Sequence, residues 1–232
     1  MVDAGAALRG GARWLRRARL TLLFCLLLAA VYAVELSLWT SGRYATFYEL
    51  FVARQDPSLG WLLAPLAHSP AQETHLVGNV AHLLMFGAVA ERRLADRAYL
   101  ALIAASGVAS VVTQVAVYVV TAQPAGVGTL GASGIAYALT ALVVVDSLRY
   151  EEATDRWHGE GTWLWTLFGA LLVGQAALEA VVGVPGVSAV GHLVGVLVGA
   201  SYALARPRSA VIAAADGGVP RRRLRNDRRR WP

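Results

Sequence analysis

The sequence predicts an all-α membrane protein with six transmembrane helices and both termini in the cytoplasm. Two observations predict it: a series of long apolar runs, and arginines that fall almost entirely on one side of them. The composition agrees, because 56% of the residues are hydrophobic and only 16% are charged, against about 25% charged in ordinary soluble domains. This balance excludes a disordered chain and disfavours a soluble domain. A single cysteine, Cys25, excludes a disulfide framework and a cysteine-based zinc site, and we expect no cofactor and no metal.

A helix that crosses the hydrocarbon core needs about 20 mostly apolar residues. Six runs are candidates: Leu20–Trp39, Leu76–Ala90, Ala98–Val120, about Thr129 to Val145, Trp163–Val182 and Ser188–Ala205. We expect helices because lipid cannot satisfy free backbone groups, and the runs lack the alternation of barrel strands. The first, third and fifth runs are strong on length alone. The second, fourth and sixth are short or interrupted, and they carry the unusual polar residues.

The basic residues explain the orientation. All 21 are arginine, and 19 of them precede the first run, follow the sixth, or lie between runs two and three or four and five. Only Arg43 and Arg54 lie on the other side. The positive-inside rule therefore places both termini in the cytoplasm. The pI near 10.0 then reflects topology rather than nucleic-acid binding, and the lipid bilayer is the expected partner.

These patterns divide the chain into three parts. Residues 1–18 form a basic cytoplasmic segment, 19–205 the membrane domain, and 206–232 a basic, disordered cytoplasmic tail that serves as an orientation signal. Contact of the tail with anionic lipid is a secondary possibility. The first run continues past its small residues, which favours an uncleaved anchor over a signal peptide.

Residues 40–74 form the only long connection, which is aromatic and amphipathic and is expected to lie in the outer interface. It is either a lateral gate or membrane-thinning element, or a helical hairpin that covers one side of the bundle. The sequence does not separate these interpretations.

Polar residues inside a span mark functional positions, because a central charge costs about 2.5–3.5 kcal/mol on insertion scales. The second run carries the first such set, with His75, Asn79 and His82 on one helical face. A metal site is disfavoured, since there is no HExxH motif. Hydrogen bonding between helices and stabilisation of an oxyanion by His and amide donors both stay open.

The fourth run begins with the second set, Gly131-Ala132-Ser133-Gly134. Glycines beside a serine permit a tight entry and close approach of the backbone. Ser133 then lies in the first helical turn, where free N–H groups can stabilise a negative oxygen formed at its side chain. Small residues that serve only helix packing are the alternative.

The sixth run carries the third set, Gly191-His192 with Gly195 and Gly199. Residues 192, 195 and 199 form one helical stripe, and its glycines let a neighbouring helix come close to His192. A proton relay or a packing hydrogen bond is the alternative role for the histidine.

The three sets together predict a nucleophilic site. A serine hydroxyl needs a base to take its proton, and His192 is that base if span six packs on span four. We assign the acids Glu35, Glu91 and Glu179 to other spans or other depths. A Ser–His dyad is therefore expected, with Tyr137, one turn after Ser133, holding the imidazole.

With these three sets of residues, the sequence resembles the rhomboid family of intramembrane serine proteases. The resemblance rests on His75 and Asn79 in span two, on Gly131, Ser133, Gly134 and Tyr137 in span four, and on Gly191, His192, Gly195 and Gly199 in span six. Glu91 after Gly87, and the segment from Trp61 to His68, also resemble the family pattern. The similarity covers about residues 61–199.

The resemblance implies a six-helix core in which Ser133 attacks the scissile carbonyl and His192 acts as base and then acid. It implies an oxyanion hole formed by His75, Asn79 and the Ser133 N–H, and Tyr137 packed against the His192 ring. The implied substrates are transmembrane segments of other proteins, cut near their outer ends, and the implied location is the cell membrane. Members need neither metal nor ATP.

Two positions depart from the family pattern. Leu62 stands where an arginine often follows the tryptophan, and Ala95 replaces a common glycine. A non-catalytic rhomboid-like protein that binds transmembrane clients is the alternative function. A small proton-coupled transporter using His75, His82 and His192 is a weaker alternative, because the internal repeat expected of many transporters is missing.

Overall fold

The long apolar runs of the sequence fold into helices. A computed structural model describes residues 18–155, 162–183 and 186–215. Within these ranges the regular structure is helical, and the one β-type pairing is an isolated antiparallel bridge between Ala53 and Thr129. The all-α prediction is therefore confirmed for the described part of the chain. The basic N-terminal segment up to residue 17 and the tail from residue 216 lie outside the described residues.

Ten α-helices follow one another in the described ranges. They are α1 (Arg19–Thr40), α2 (Tyr44–Phe51), α3 (Gly60–Leu63), α4 (Glu73–His82), α5 (Ala88–Arg93), α6 (Asp96–Val120), α7 (Ser133–Thr154), α8 (Thr162–Val182), α9 (Ala189–Ala205) and α10 (Arg208–Ala215). A 3-10 turn, Ala64–Leu66, follows α3, and a π-helical segment, Leu83–Gly87, joins α4 to α5.

Three of these helices, α1, α6 and α8, are long and apolar enough to cross a membrane. A fourth candidate is α9 taken together with the start of α10, although the chain bends by 100° between them. Helix α7 spans 22 residues but carries Asp146, Arg149, Glu151 and Glu152 towards its end. The π-helical segment interrupts the second predicted span. These interruptions fall in or directly after the second and fourth runs, which carry polar residues of the candidate site.

Helix α7 forms the centre of the fold, and every residue from Gly134 to Val144 is buried. Helix α9 packs against it through glycines. A Cβ atom on Gly195 would overlap the Gly134 carbonyl, and one on Gly199 would overlap the Ala138 carbonyl. The backbones of α7 and α9 therefore touch directly, as small residues at a membrane-helix interface allow.

Glu91 on α5 fixes the start of α1. Its carboxylate accepts hydrogen bonds from the backbone N–H groups of Leu20 (3.0 Å) and Thr21 (2.8 Å) and from the Thr21 hydroxyl (2.8 Å). These N–H groups have no partner inside their own helix. The Thr21 hydroxyl also lies 2.9 Å from the Tyr99 hydroxyl on α6. One carboxylate thus ties together α1, α5 and, through Thr21, α6.

An ionic cluster holds the opposite end of α7. Arg206, just after α9, pairs with the buried Asp146 of α7 and donates to the backbone carbonyl of Arg93 at 2.9 Å. Arg93 in turn donates to the Val143 carbonyl (2.9 Å) and the Ser147 hydroxyl (3.0 Å). The arginines predicted to set orientation therefore also join α5, α7 and α9.

The first part of the tail is folded, which corrects the prediction that residues 206–232 are disordered. Residues 208–215 form α10, with Val211 buried and Arg208 paired to Glu152 of α7 at 2.8 Å. Charge alone predicted disorder, whereas the buried valine and contacts with α7 and α5 give this segment a packing partner.

The outer connection folds into α2, α3 and the 3-10 turn. Phe47 and Phe51 of α2 pack with Leu38 near the end of α1 and with Ala67. The bridge between Ala53 and Thr129 ties the connection to the loop before α7. The outer connection thus packs against α1 and the loop before α7, and both predicted roles, gate and cover, stay predictions.

Candidate active site

Ser133 is the first residue of α7, and the preceding loop fixes its place. Gly131 has φ +126°, a conformation that side chains disfavour, and its N–H donates to the Ala64 carbonyl at 2.8 Å. The Ser133 side chain is only partly buried, in a small depression that Ser110, Gly134 and Gly191 also line. As the first residue of a helix, Ser133 has a backbone N–H without a partner inside the helix.

His192 lies in the first turn of α9, and its Nε2 is 2.8 Å from the Ser133 hydroxyl. This is hydrogen-bond distance for a nucleophile and its base. The close contact of α9 with α7 brings the two side chains together. The neighbouring Gly191 N–H donates to the Gln114 side chain of α6 at 3.0 Å, which holds the start of α9. The Thr129 and Ser188 hydroxyls, 2.5 Å apart, join the two loops that lead into α7 and α9.

Tyr137 lies beside the imidazole, with its ring centroid 4.7 Å from that of His192 and the planes tilted by 39°. Tyr137 also makes a ring contact with His82, at a centroid distance of 5.3 Å in an edge-on arrangement. His82 Nε2 lies 2.6 Å from the Thr140 hydroxyl. His82 therefore joins α4 to α7 through a hydrogen bond between helices, and its ring contacts Tyr137 beside the site.

Glu179 of α8 corrects the expectation that no acid lies beside His192. Its Oε2 is 2.9 Å from His192 Nδ1, and its Oε1 accepts a hydrogen bond from Gln175 at 2.9 Å. Glu179 lies three residues before the end of α8, and His192 three residues after the start of α9. Since the two helices form a hairpin, these positions have the same depth. Ser133, His192 and Glu179 are thus connected in series.

The two predicted oxyanion side chains occupy different surroundings. The His75 ring lies next to Gly131, so close that a Cβ atom added to Gly131 would collide with it. The Asn79 amide nitrogen instead lies 3.0 Å from His68 Nε2, in a buried contact. The structure thus brings His75 to the loop that precedes Ser133, and it pairs Asn79 with His68.

His68 belongs to the outer connection and is fully buried. Burial, with a further contribution from nearby His75, lowers the pKa of His68 to about 4, so the ring is neutral at pH 7. Both oxygens of Glu35 on α1 accept the His68 backbone N–H, each at 3.0 Å. His68 therefore links α1, the outer connection and Asn79 on α4.

Sequence reasoning missed Glu179, Gln114 and the Glu35–His68 pair. Polarity inside apolar runs was the available signal, because Gln114 and Glu179 are strongly polar residues within the third and fifth spans. Within the described ranges, no group of three or more His, Cys, Asp or Glu side chains is arranged to hold a metal ion.

A family model of the rhomboid domain matches residues 59–209. The chain belongs to the rhomboid family. The matched range includes Ser133, His192, Tyr137, His75 and Asn79, and thus the whole candidate site. A comparison with curated proteins gives no significant match to an individual protein.

Membership in the rhomboid family makes the chain an integral membrane protein. Rhomboid proteins are usually intramembrane serine proteases, and inactive rhomboid-like members also exist. The family thus limits the function to proteolysis in the membrane or a related non-catalytic role. Which of the two roles this chain has depends on its own site residues.

Proposed function

We propose that this rhomboid protein is a multi-pass serine endopeptidase of the cell membrane that cleaves transmembrane segments of other proteins. The observation that carries the proposal is the 2.8 Å distance between the Ser133 hydroxyl and His192 Nε2. The two residues come from different helices, 59 positions apart in sequence. A hydroxyl and an imidazole at this distance are what a serine nucleophile requires.

The chemistry follows from this pair. His192 Nε2 takes the proton of the Ser133 hydroxyl as Oγ attacks the scissile carbonyl carbon, giving a tetrahedral intermediate. The C–N bond then breaks, and His192 returns the proton to the leaving amine. Water next attacks the acyl-enzyme with His192 again as base, and cleavage of the ester releases Ser133. No external cofactor enters these steps.

The oxyanion would be stabilised by the Ser133 N–H, His75 and Asn79. The Ser133 N–H faces outwards from a helix start, where the helix dipole also favours negative charge. His75 is already next to Gly131. Asn79 would need to leave His68 to donate to an oxyanion, so its contribution requires a side-chain rearrangement when substrate binds.

Six spans with cytoplasmic termini would place the starts of α4, α7 and α9 on the outer side. His75, Ser133 and His192 all lie near those starts. The site would then be open to water from outside the cell, and hydrolysis needs water. A substrate segment would be cut near its outer end, after local unwinding exposes a carbonyl to Ser133.

The alternative is a non-catalytic rhomboid protein that holds transmembrane clients. One observation favours it: the Asn79 amide is engaged by His68. In that case Ser133 and His192 would serve as an interhelical hydrogen bond between α7 and α9.

Cleavage of a single-span model substrate by the full chain in liposomes tests the proposal. We expect Ser133→Ala and His192→Ala each to abolish cleavage, and a fluorophosphonate probe to label the wild type but not Ser133→Ala. Ser201→Ala is the matched control, since Ser201 is an exposed serine on α9, and it should cleave normally. Undiminished cleavage by either site variant, or co-purification of clients with an unlabelled wild-type Ser133, would contradict the proposal.

Asn79→Ala separates the oxyanion assignment from the nucleophile. Removing one oxyanion donor costs about 2.7–4 kcal/mol in well-studied serine hydrolases, or about 10²–10³ in kcat. We expect a partial loss of this order, with Ser133 still reactive towards the probe. Full activity of Asn79→Ala would remove Asn79 from the oxyanion hole and leave the Ser133–His192 assignment intact.

A further inference from the structure

The Glu179 carboxylate makes two hydrogen bonds inside the membrane domain. Its Oε2 lies 2.9 Å from His192 Nδ1, and its Oε1 accepts from Gln175 Nε2 at 2.9 Å. The side chains of His192 and Glu179 are only 12% and 15% exposed. An ionisable residue in a membrane helix is costly unless it has a partner or a function, and here the partner is the candidate base.

The two nitrogens of the His192 ring have different partners. A carboxylate only accepts hydrogen bonds, so Glu179 requires a proton on Nδ1. In the neutral ring this leaves the Nε2 lone pair facing Ser133. Nε2 can then accept the hydroxyl proton, which the opposite tautomer cannot do. The contact with Glu179 therefore selects the tautomer that a general base needs.

The electrostatic surroundings make this contact specific. The titratable groups that face His192 are Tyr137 on α7, His75 and His82 on α4, and Glu179 on α8. Among the residues that the structure describes around the ring, Glu179 is the one acid. It is thus the group that can stabilise an imidazolium when His192 takes the serine proton.

We propose that Glu179 is a positioning residue for His192, so that the site operates as a Ser133–His192–Glu179 series rather than as a dyad. Gln175, one turn earlier on α8, holds the second carboxylate oxygen and keeps Oε2 directed at the ring. The proposal rests on the proposed protease function for its kinetic consequences, but the geometry it assigns to His192 is measurable without activity.

Kinetics of the full chain in liposomes give the first test. Glu179→Gln preserves shape but removes the charge, and we expect kcat to fall by up to about 10⁴-fold, the loss seen when the acid of a serine-protease triad becomes an amide, with KM little changed. Glu179→Asp, which keeps the charge on a shorter arm, should recover part of the loss. Glu49→Gln is the control, because Glu49 is an exposed acid on α2, and it should behave as wild type.

The pH dependence separates positioning from helix packing. If the carboxylate stabilises the imidazolium, the acid limb of the pH–rate profile moves to lower pH in Glu179→Gln. A packing role would lower the folded yield and leave the profile of the folded fraction in place. Wild-type kcat and an unmoved acid limb in Glu179→Gln would overturn the proposal.

The protonation site of His192 provides a test that needs no catalysis. In ¹⁵N-histidine-labelled protein, with His192→Gln used to assign the signal, we expect the proton of neutral His192 on Nδ1 in the wild type. In Glu179→Leu the two tautomers should mix. A proton on Nε2 in the wild type, or an Nδ1 proton unaffected by Glu179→Leu, would overturn the proposal. If the wild type cleaves nothing while this signature holds, the protease function fails and the positioning by Glu179 stands.

Discussion

Gly199 of α9 lies directly against the backbone carbonyl of Ala138 of α7, with no space for a side chain between them. One turn earlier, Gly195 meets the Gly134 carbonyl in the same way. Since Ser133 and His192 lie at the start of these two helices, this backbone contact sets the distance between hydroxyl and imidazole. Packing and chemistry thus depend on the same glycine stripe.

Replacement of Gly199 should separate the helices. A valine at this position would clash with the Ala138 carbonyl, and overpacking of this kind costs about 1–3 kcal/mol or more. We expect Gly199→Val to lower the free energy of unfolding in detergent by at least that amount and to reduce labelling of Ser133 by a fluorophosphonate. Gly174→Ala on α8, where an added Cβ meets open space, is the control. Equal labelling and stability of both variants would contradict this account.

Loss of the Glu91 carboxylate should loosen α1. Glu91→Gln leaves one amide oxygen for three donors, and hydrogen bonds to a charged group are worth about 1.5–3 kcal/mol each. We expect the unfolding free energy to fall by about that much, with proteolysis or hydrogen exchange increasing first at residues 19–22. Glu49→Gln serves again as the exposed control. Unchanged protection at the start of α1 would show that Glu91 does not hold it.

The Arg206–Asp146 pair allows a double-variant test. Arg206→Met leaves Asp146 buried and without its ion partner, which costs about 3–5 kcal/mol for a buried pair. Arg206→Met combined with Asp146→Asn should recover much of this loss, because no unpaired charge remains. Glu152→Gln breaks the exposed pair with Arg208 and should cost less than about 1 kcal/mol. Additive losses in the double variant, measured by unfolding in detergent, would exclude coupling between Arg206 and Asp146.

The lowered pKa of His68 predicts that the folded protein loses stability in acid. Its pKa is lowered to about 4 in the folded protein, against about 6.5 in an unfolded chain. Between these two pH values the unfolded state binds more protons than the folded state. The contribution of His68 to the free energy of unfolding is therefore fully present above about pH 6.5 and is lost as the pH falls towards 4. We expect His68→Gln to flatten this part of the stability–pH curve by roughly 1–3 kcal/mol, measured by unfolding in detergent. A wild-type curve parallel to that of the variant would contradict it.

Local properties of the sequence were enough to predict where four of the long helices lie. The observed bounds of α1, α6, α8 and α9 differ from the predicted runs by at most two residues, because apolar length and flanking charge are properties of the chain itself. The start of α7 differs more: the run was predicted from about Thr129, and the helix begins at Ser133. The positive φ of Gly131 and the hydrogen bond from its N–H to the Ala64 carbonyl keep residues before Ser133 out of the helix. A hydropathy pattern shows neither feature.

Part of the site was also open to prediction. The serine, the histidine and the glycine stripe could be chosen because polar and small residues are unusual in apolar runs. Glu179 could not be paired with His192 by the same reasoning, since the depth of a residue depends on where its helix begins and ends. The facing ends of α8 and α9 were predicted to within one residue, so a comparison of distances from these ends would have suggested the pair. Hydropathy does not show, however, which faces of the two helices meet.

The sequence by itself determined that the chain is helical and apolar and which side chains carry chemistry, because hydropathy, charge and residue type act locally. Only the tertiary structure decided that His192 lies between a hydroxyl and a carboxylate, that Asn79 contacts His68, and that residues 208–215 fold. These relationships join residues 11 to 59 positions apart. Backbone contact between α7 and α9 and the α8–α9 hairpin bring Ser133, His192 and Glu179 together. The Asn79–His68 contact depends instead on how the outer connection packs against α4, and the folding of residues 208–215 depends on their contact with α7.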